Sequence, residues 1–417
     1  MYKLQERDVP GLVAAFNAGR EPERVSLKYA AMAKDPFSFL RGSCHLFYQD
    51  FSKSMQGTQA PLAWICGDLH LENFGSYKGD NRLSYFDIND FGEAALAPAD
   101  WELARFLVSV LVAGESLKLG PKLPTRLCNC FLDAYAAALA KGKPRWVERP
   151  VARGMVKELL QSVKTRGRAA FLKERSKLID GKRKLRLDGG KTLPVDEEER
   201  DKVGAFMAGY AERQEAPAFF KVLDVARRIA GTGSLGLERY VILVRGRGGP
   251  EGHFLLDLKH TPASALAPHL PQQQPAWGSE AQRVVAIQQR VQAIEPAFLE
   301  AVNIGAHAYV LQELLPSQDR LALDSWGGKP QRLEGVMLSM GEILAWGQLR
   351  AGGRAGSADA DAWIAHAADA NSWRAPLLAY AHGYRDQVIA DWKQYRSAFQ
   401  TARKTRALQA GKKTAKP

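Results

Sequence analysis

The side chains best suited to chemistry lie within residues 64–105. Asp68 follows a short apolar run, His70 and Asn73 come shortly after it, and Asp90 ends a second apolar run. Phosphoryl transfer needs a carboxylate to orient or deprotonate the attacking hydroxyl, and an amide and a carboxylate to hold Mg²⁺. The spacing therefore predicts that Asp68 serves the acceptor hydroxyl and that Asn73 and Asp90 bind Mg²⁺.

Two neighbouring side chains have open roles. Asp87 precedes Asp90 by three positions, so on a strand its side chain faces the other way. It is either structural or, if the chain bends, a second metal ligand. His70 either braces the loop backbone or takes part in catalysis. A surface loop with ordinary Asx turns would explain the same residues without any chemistry.

The helix that follows these loops must hold them in place. Residues 100–117 show one apolar stripe, with Asp100 predicted as the cap and Glu102 in the first turn. A second helix is predicted at 125–141, and a third begins at Asp196 with acidic residues in its first turn.

A glycine-rich segment lies far along the chain from these loops. Gly231, Gly233 and Gly236 form GxGxxG, with Ser234 between them. In a dinucleotide-binding fold a helix follows the last glycine, whereas the sequence RYVILV here predicts a strand. Strand, glycine-rich turn and strand are typical of a hairpin that covers phosphates. These residues are therefore predicted to hold the phosphates of ATP.

The next strand, HFLLDLKH, carries Lys259, in the place from which a lysine reaches the α- and β-phosphates. An edge-strand lysine that favours solubility is the alternative. A helix begins after Ser279, and Glu280 is either the acid that pairs with Lys259 or a capping residue. The later run AHAYVLQEL, which contains Gln312 and Glu313, resembles the strand that links the two lobes of kinases, where backbone groups of the connecting segment would meet adenine.

Several motifs resemble those of known families. GDLHLEN looks like the GDxHxxN loop of aminoglycoside and choline kinases, and Glu102-Leu-Ala resembles their Asp-Leu-Ala, whose acid steadies the catalytic loop. DPFSFLRG, CGDLHLENFG, FDINDFGE, WELAR and DVARRIAGTGSLG are similar to the marks of a bacterial family called domain of unknown function 2252, over roughly residues 25–400. Members of that family usually carry Ala-His-Ala-Arg where this chain has Gly352 in place of the histidine.

The motifs occur in the reverse of the usual kinase order. The sequence therefore predicts an α+β, protein-kinase-like two-lobe fold that is circularly permuted, which close chain termini make tolerable. We expect a larger lobe at 1–215 with the catalytic and metal loops, and a smaller nucleotide-binding lobe at 216–315. Residues 316–402 are expected to return as helices to the larger lobe, and 403–417 to form a disordered basic tail.

The net charge of +13 is uneven along the chain. Residues 164–191 hold eleven basic and three acidic side chains, and 403–417 hold six basic and no acidic ones. This leaves a nucleic-acid partner open, but solvated charge on an insert and a tail explains it better. Within the insert, a hairpin is predicted around Asp188-Gly-Gly, because these residues suit a tight turn.

Composition bounds the location. No run of eighteen apolar residues is present, so no membrane association is expected. The first residues show no apolar signal core, and the four cysteines show no metal-ligand spacing. A reduced cytoplasmic protein is the expectation, and the oligomeric state stays open.

The functional expectation is an ATP- and Mg²⁺-dependent phosphotransferase that acts on a hydroxyl acceptor, by kinship a small molecule. Protein acceptors and transfer of AMP stay open. One alternative is a degenerate kinase-like protein that binds a nucleotide or a partner without turnover. Another is a two-metal phosphoesterase, since Asp68-x-His70 matches the first motif of that class.

Overall fold

The computed structural model describes residues 3–54, 59–166, 168–249, 251–270, 272–314 and 320–414, which form a mixed α/β fold. The α+β class predicted from the sequence is thereby confirmed. None of the helices in these ranges combines the length and the apolar character needed to cross a bilayer.

Four short helices open the chain. Asp8 and Asp35 cap the first and third of them by accepting backbone hydrogen bonds, and a proline occupies the first turn of each. The helices are α1 (Val9–Phe16), α2 (Pro22–Met32), α3 (Pro36–Gly42) and α4 (Cys44–Ser54).

Two antiparallel strand pairs position the loops of the candidate site. β1 (Leu62–Ile65) pairs with β4 (Ala95–Pro98), and β2 (Phe74–Lys78) pairs with β3 (Ser84–Ile88). The loop with Asp68 joins β1 to β2, and the loop with Asp90 joins β3 to β4. The first and last of these four strands pair with each other, and so do the middle two. Both loops therefore connect the same two strand pairs. A short β5 (Val147–Glu148) extends the hairpin.

The main apolar core lies between long helices. Nearly all of α5 is buried, and it begins after Pro98, so Asp100 is its second residue and the predicted Asp100 cap is wrong. Helices that share this core come from early and late in the chain. They are α5 (Ala99–Ser116), α6 (Leu123–Ala140), α7 (Gly154–Thr165), α11 (Pro330–Ala351), α12 (Ala360–Ala368) and α13 (Ala370–Thr414).

A six-stranded antiparallel sheet forms the second part of the fold, in the order β12-β13-β11-β10-β9-β8. Its apolar residues form a separate cluster with α9 (Glu197–Glu212), and α10 (Glu280–Val291) follows β11 in the chain. The strands are β8 (Thr192–Leu193), β9 (Val222–Arg228), β10 (Arg239–Val244), β11 (Phe254–His260), β12 (Glu300–Ile304) and β13 (His307–Glu313).

The basic insert is structured and packs on this sheet. It contains α8 (Arg168–Arg175), β6 (Ser176–Ile179) and β7 (Lys182–Leu185), and buried Leu172 and Leu185 join a cluster with sheet residues. The hairpin predicted around Asp188 is wrong. β7 pairs with β6 across Asp180-Gly181, while β8 pairs with β9. The Asp188 carboxylate instead accepts three backbone N–H groups and closes a local turn.

The last helix, α13, continues to Thr414 within the described residues. Its middle part binds the N-terminal segment. Arg7 pairs with Asp50 at 2.8 Å and with Asp391 of α13, and the Val9 N–H donates to Gln394.

Candidate functional site

A cleft of about 710 Å³ lies between the loops that follow β1 and β3 on one side and the glycine-rich segment on the other. Most of the predicted site residues line this cleft. They are Asp68, His70, Asn73, Asp90, Gly231, Gly233, Ser234 and Lys259. Residues far apart in the chain therefore meet around one space large enough for a small ligand.

The backbone before Asp68 is fixed by buried groups. Gly67 has φ +87°, and a Cβ there would meet the Glu93 carbonyl oxygen at 2.1 Å, so only glycine fits this close approach. Glu102, at the start of α5, accepts a hydrogen bond from the Cys66 N–H at 2.7 Å. Burial raises the pKa of Glu102 to about 7. Glu102 thus holds the backbone just before Asp68.

Asp68 itself is held by a buried arginine. Arg105, whose side chain is 0% exposed, donates from Nε at 3.0 Å and from Nη2 at 2.8 Å to the same oxygen, Oδ1. Nη2 also donates to the Leu40 carbonyl. Arg105 does not use the second carboxylate oxygen, Oδ2. Asp68 therefore lines the cleft in a fixed orientation with one oxygen outside this ion pair.

Asn73 ties the two loops together. Its Nδ2 donates to the carbonyl oxygens of Asp68 at 3.2 Å and of Asp90 at 3.1 Å. Its Oδ1 is buried and has no hydrogen-bond partner among the described residues. A buried amide oxygen that lacks a donor is costly, so this atom is suited to a cation such as Mg²⁺, which prefers oxygen ligands.

Asp90 and Lys259 form the contact across the cleft. Lys259 Nζ lies 3.0 Å from Asp90 Oδ1, which also accepts the Gly92 N–H. Enclosure by the cleft opposes ionisation, but the Lys259 ammonium outweighs it and lowers the pKa of Asp90. Asp90 is therefore ionised, and its backbone carbonyl is tied to Asn73 Nδ2. In the described ranges, no three His, Cys, Asp or Glu side chains group as metal ligands. The candidate metal ligands are therefore the Asn73 amide and the Asp90 carboxylate.

His70 is enclosed rather than solvent-facing. Its ring meets the Phe37 ring edge-on at 6.1 Å between centroids, and its carbonyl accepts the Asn73 N–H. Burial, and then the charges of Arg41, Arg105 and Arg320, lower its pKa well below the ordinary value. The histidine is neutral, and its backbone braces the loop.

The glycine-rich segment is held by the N-terminal helices. Arg20 and Lys28 donate to the Gly233 carbonyl at 3.0 and 3.1 Å, and the Glu21 N–H donates to Gly236. Gly236 has φ +92° and contacts Val25 outside the cleft lining. The carbonyl groups of Gly233 and Gly236 thus face residues 20–28 of the N-terminal segment.

Cations that the sequence analysis did not single out also line the cleft. Arg228 and Arg239 both pair with buried Asp257, at 2.6 and 2.5 Å. Arg41 and Arg320 both pair with Glu72, at 2.5 and 2.8 Å. The motifs DPFSFLRG and DVARRIAGTGSLG, which contain Arg41 and Arg228, held a signal for two of these arginines.

Besides Gly236, two predicted residues lie outside the cleft lining. Asp87 is buried behind β3 and accepts the Ile88 N–H at 2.8 Å; burial raises its pKa to about 6. It is outside the cleft lining, which corrects its assignment as a second metal ligand. Glu280 pairs with Arg283, one helical turn away, at 2.7 Å. Lys259 meets Asp90 instead, so the predicted Lys259–Glu280 pair is wrong.

The expected adenine-facing segment is only partly described. Gln312 lines the cleft, and Glu313 pairs with Arg82 at 2.8 Å. Residues 315–319, on which the predicted backbone contacts fall, lie outside the described residues.

The fold and the cleft define a mixed α/β protein with a basic cleft that carries an Asp–Asn–Asp set. The chain belongs to the family described as an uncharacterized protein conserved in bacteria (DUF2252), whose model matches residues 20–398. That range contains all of the candidate site residues. No curated protein and no solved structure shows significant similarity to the chain.

Proposed function

We propose that the protein is an ATP- and Mg²⁺-dependent phosphotransferase that acts on a hydroxyl-bearing small molecule. The observation that carries the proposal is the 3.0 Å contact between Lys259 and Asp90, which lie 169 positions apart in the chain. A nucleotide phosphate needs both a lysine and a metal-binding acid in one place. Their meeting beside the glycine-rich segment supports that use of the cleft.

The strand order supports a permuted kinase-like arrangement. From β9 the sheet runs β9-β10-β11-β13-β12, with the lysine on β11 and a helix between β11 and β12. The smaller lobe of kinases has the same plan. Helices from before and after the sheet share one core, which supports a larger lobe assembled from both parts of the chain. Within the range 1–215, α9 packs on the sheet instead.

In the proposed reaction, Asp68 positions the acceptor hydroxyl through Oδ2. The hydroxyl oxygen forms a bond to the γ-phosphorus, the bond from that phosphorus to the leaving ADP oxygen breaks, and the proton passes to Asp68. Arg105 keeps the carboxylate in line. Lys259 and the amides of the glycine-rich segment hold the phosphates. Bound Mg²⁺, held by Asn73 and Asp90, would neutralise phosphate charge.

Nucleotide binding is tested by thermal unfolding with Mg²⁺-ATP. A ligand at about 100 times its Kd stabilises the native state by about 2.7 kcal/mol. We expect a higher Tm for the wild type, and no rise for Asp90→Asn or Lys259→Ala. Arg332→Gln removes an ion pair with Glu158 outside the cleft and serves as the control. No rise for the wild type at millimolar Mg²⁺-ATP would contradict the proposal.

A binding protein without turnover is the second candidate. It is favoured by the Glu280–Arg283 pair, because the helix acid expected to hold Lys259 does not do so. ADP release in the presence of candidate acceptors separates the two functions. We expect Asp68→Asn to keep the rise in Tm and to lower kcat by about 10²–10⁴-fold. A wild type that binds ATP but releases no ADP with any acceptor would favour the binding protein.

A further inference from the structure

The end of the cleft next to Asp68 is built around two arginines that share one acid. Glu72, in the turn between Asp68 and Asn73, accepts from Arg41 at 2.5 Å and from Arg320 at 2.8 Å. We infer that the acceptor carries an anionic group, a phosphate or a carboxylate, close to its reactive hydroxyl, and that Arg41 and Arg320 bind it. The inference rests on the proposed function, because it assigns the acceptor to the Asp68 end.

Two groups of ion pairs line the cleft, one around Glu72 and one between Lys259 and Asp90. Lys259 and Asp90 meet beneath the glycine-rich segment, where the ATP phosphates are proposed to lie. Glu72 belongs to the same short helical turn as Asn73, so its ion pairs stand beside the Asp68 loop. A group bound by the two arginines would therefore leave a neighbouring hydroxyl close to Asp68.

Charge at this end favours an anion. Two guanidinium groups share a single carboxylate, which leaves one positive charge. The Arg41 side chain is only 11% exposed, and its Nε is buried without a partner among the described residues. A buried cation that is only partly satisfied is costly, and a guanidinium binds phosphate or carboxylate through two parallel hydrogen bonds.

The carboxylates that line the cleft argue against a cationic acceptor. Asp68 is paired with Arg105, Asp90 with Lys259, and Glu72 with two arginines. Glu93 accepts from the Ala265 N–H and faces Ser264. A cationic acceptor such as choline would find Asp68, Asp90 and Glu72 already paired with cations. The acceptor thus differs in charge from those of the kinases that the Asp68 loop resembles.

Calorimetric titration of the full chain, loaded with Mg²⁺ and a non-hydrolysable ATP analogue, tests the inference. Four small probes share hydroxyl groups and differ in charge: glycerol 3-phosphate, glycerate, glycerol and choline. We expect one or both anions to bind and the other two not to bind. A comparison of glycerol 3-phosphate with glycerate shows whether the anionic group of the acceptor is a phosphate or a carboxylate. Added salt should weaken binding, since part of the cleft is open to solvent.

Substitution of Arg41 makes the test specific. Arg41→Gln should weaken binding of the anion about tenfold or more, the loss expected for a charged hydrogen bond. Arg41→Lys should restore part of it, and Arg332→Gln should leave it unchanged. Tighter binding of choline or glycerol, binding of neither anion at millimolar concentration, or an unchanged affinity in Arg41→Gln would overturn the inference.

The nucleotide gives an independent readout. If the ATP analogue does not bind, the proposed function fails, and the dependence of anion binding on Arg41 in the nucleotide-free protein still decides whether the anion site exists. If the analogue binds equally to the wild type and Arg41→Gln while the anion does not bind to either, the acceptor inference alone fails.

Discussion

The two walls of the cleft are held in different ways. The wall with Asp68 and Asn73 is fixed from behind by Arg105 and Glu102, whose side chains are buried in the main core. The wall with the glycine-rich segment is held from outside, where Arg20 and Lys28 reach its carbonyl groups. The first wall depends on the packing of the whole helical core, and the second on a few contacts to an N-terminal segment.

This difference predicts which property each wall controls. A buried ion pair that loses one partner leaves an uncompensated charge, which strongly destabilises the fold. A partly exposed contact has little effect on folding, so its loss appears mainly in ligand affinity. Substitutions on the first wall should change stability and activity together. Substitutions of the partly exposed Arg20 and Lys259 on the second wall should mainly change nucleotide binding, whereas Lys28 is buried and is left out of this contrast.

The largest expected effect is that of Asp68→Ala. It leaves the buried Arg105 guanidinium without its carboxylate, so the free energy of unfolding should fall by about 3–5 kcal/mol. Lys259→Ala on the opposite wall should cost less than about 1 kcal/mol, because the side chain of its partner Asp90 is 59% exposed. Urea unfolding of both variants measures the contrast. Equal losses of unfolding free energy in Asp68→Ala and Lys259→Ala would contradict the expected difference between the two walls.

Glu102 gives the first wall a pH dependence. Burial raises its pKa from 4.5 to about 7, so the folded state holds the proton more tightly than the unfolded state. This contribution to stability is complete below pH 4.5 and is lost as the pH rises through 7, which amounts to about 3 kcal/mol.

Glu102→Gln should remove that dependence. Urea unfolding at pH 5 and at pH 8 should show that the wild type loses more stability between the two values than the variant does. Asp87, whose pKa is also raised, stays in both proteins, so the difference isolates Glu102. The same change with pH in both proteins would contradict the assignment.

The second wall should respond in binding. Arg20→Gln removes the donors to Gly233 and Leu235, while Lys28 still donates to Gly233. We expect ATP affinity to fall about three- to tenfold, with an unchanged free energy of unfolding. Calorimetric titration with Mg²⁺-ATP measures the affinity, and Arg332→Gln is the control. If Arg20→Gln lowered the free energy of unfolding and left ATP affinity unchanged, the expected difference between the two walls would be wrong.

The smallest effect is expected outside both walls. A Cβ on Gly352 would lie 2.7 Å from the Ala358 carbonyl oxygen, so Gly352→Ala should lower the unfolding free energy by about 1 kcal/mol. Gly352 is outside the cleft lining, so Mg²⁺-ATP should raise the Tm as in the wild type. A smaller rise in Tm with Mg²⁺-ATP would show that position 352, where the family usually carries a histidine, influences nucleotide binding.

Sequence reasoning found much of the cleft because the functional loops follow strands whose apolar runs are easy to identify. Asp68, Asn73, Asp90 and Lys259 follow or end such runs, so their relative places could be predicted. Glu280 could not be placed in this way. Its position at a helix start fits several partners, and only the tertiary fold brings Asp90 to Lys259 and leaves Arg283 for Glu280.

The missed parts depend on long-range contacts. Arg41 and Arg320 meet at Glu72 although they come from distant parts of the chain, and no local pattern predicts such a meeting. The hairpin predicted around Asp188 is wrong for a related reason. Two adjacent turns compete, and the pairing of β8 with β9 decides the register.

The binding of the N-terminal segment to α13 has a consequence for synthesis. Arg7 and Asp391 are 384 positions apart, so their contact cannot form until the ribosome has made the segment that contains Asp391. The same N-terminal region supplies Arg20 and Lys28 to the glycine-rich segment. The core behind the aspartate loops also contains residues of α11, α12 and α13, so a nascent chain would complete both walls of the cleft only after α13 has been synthesised.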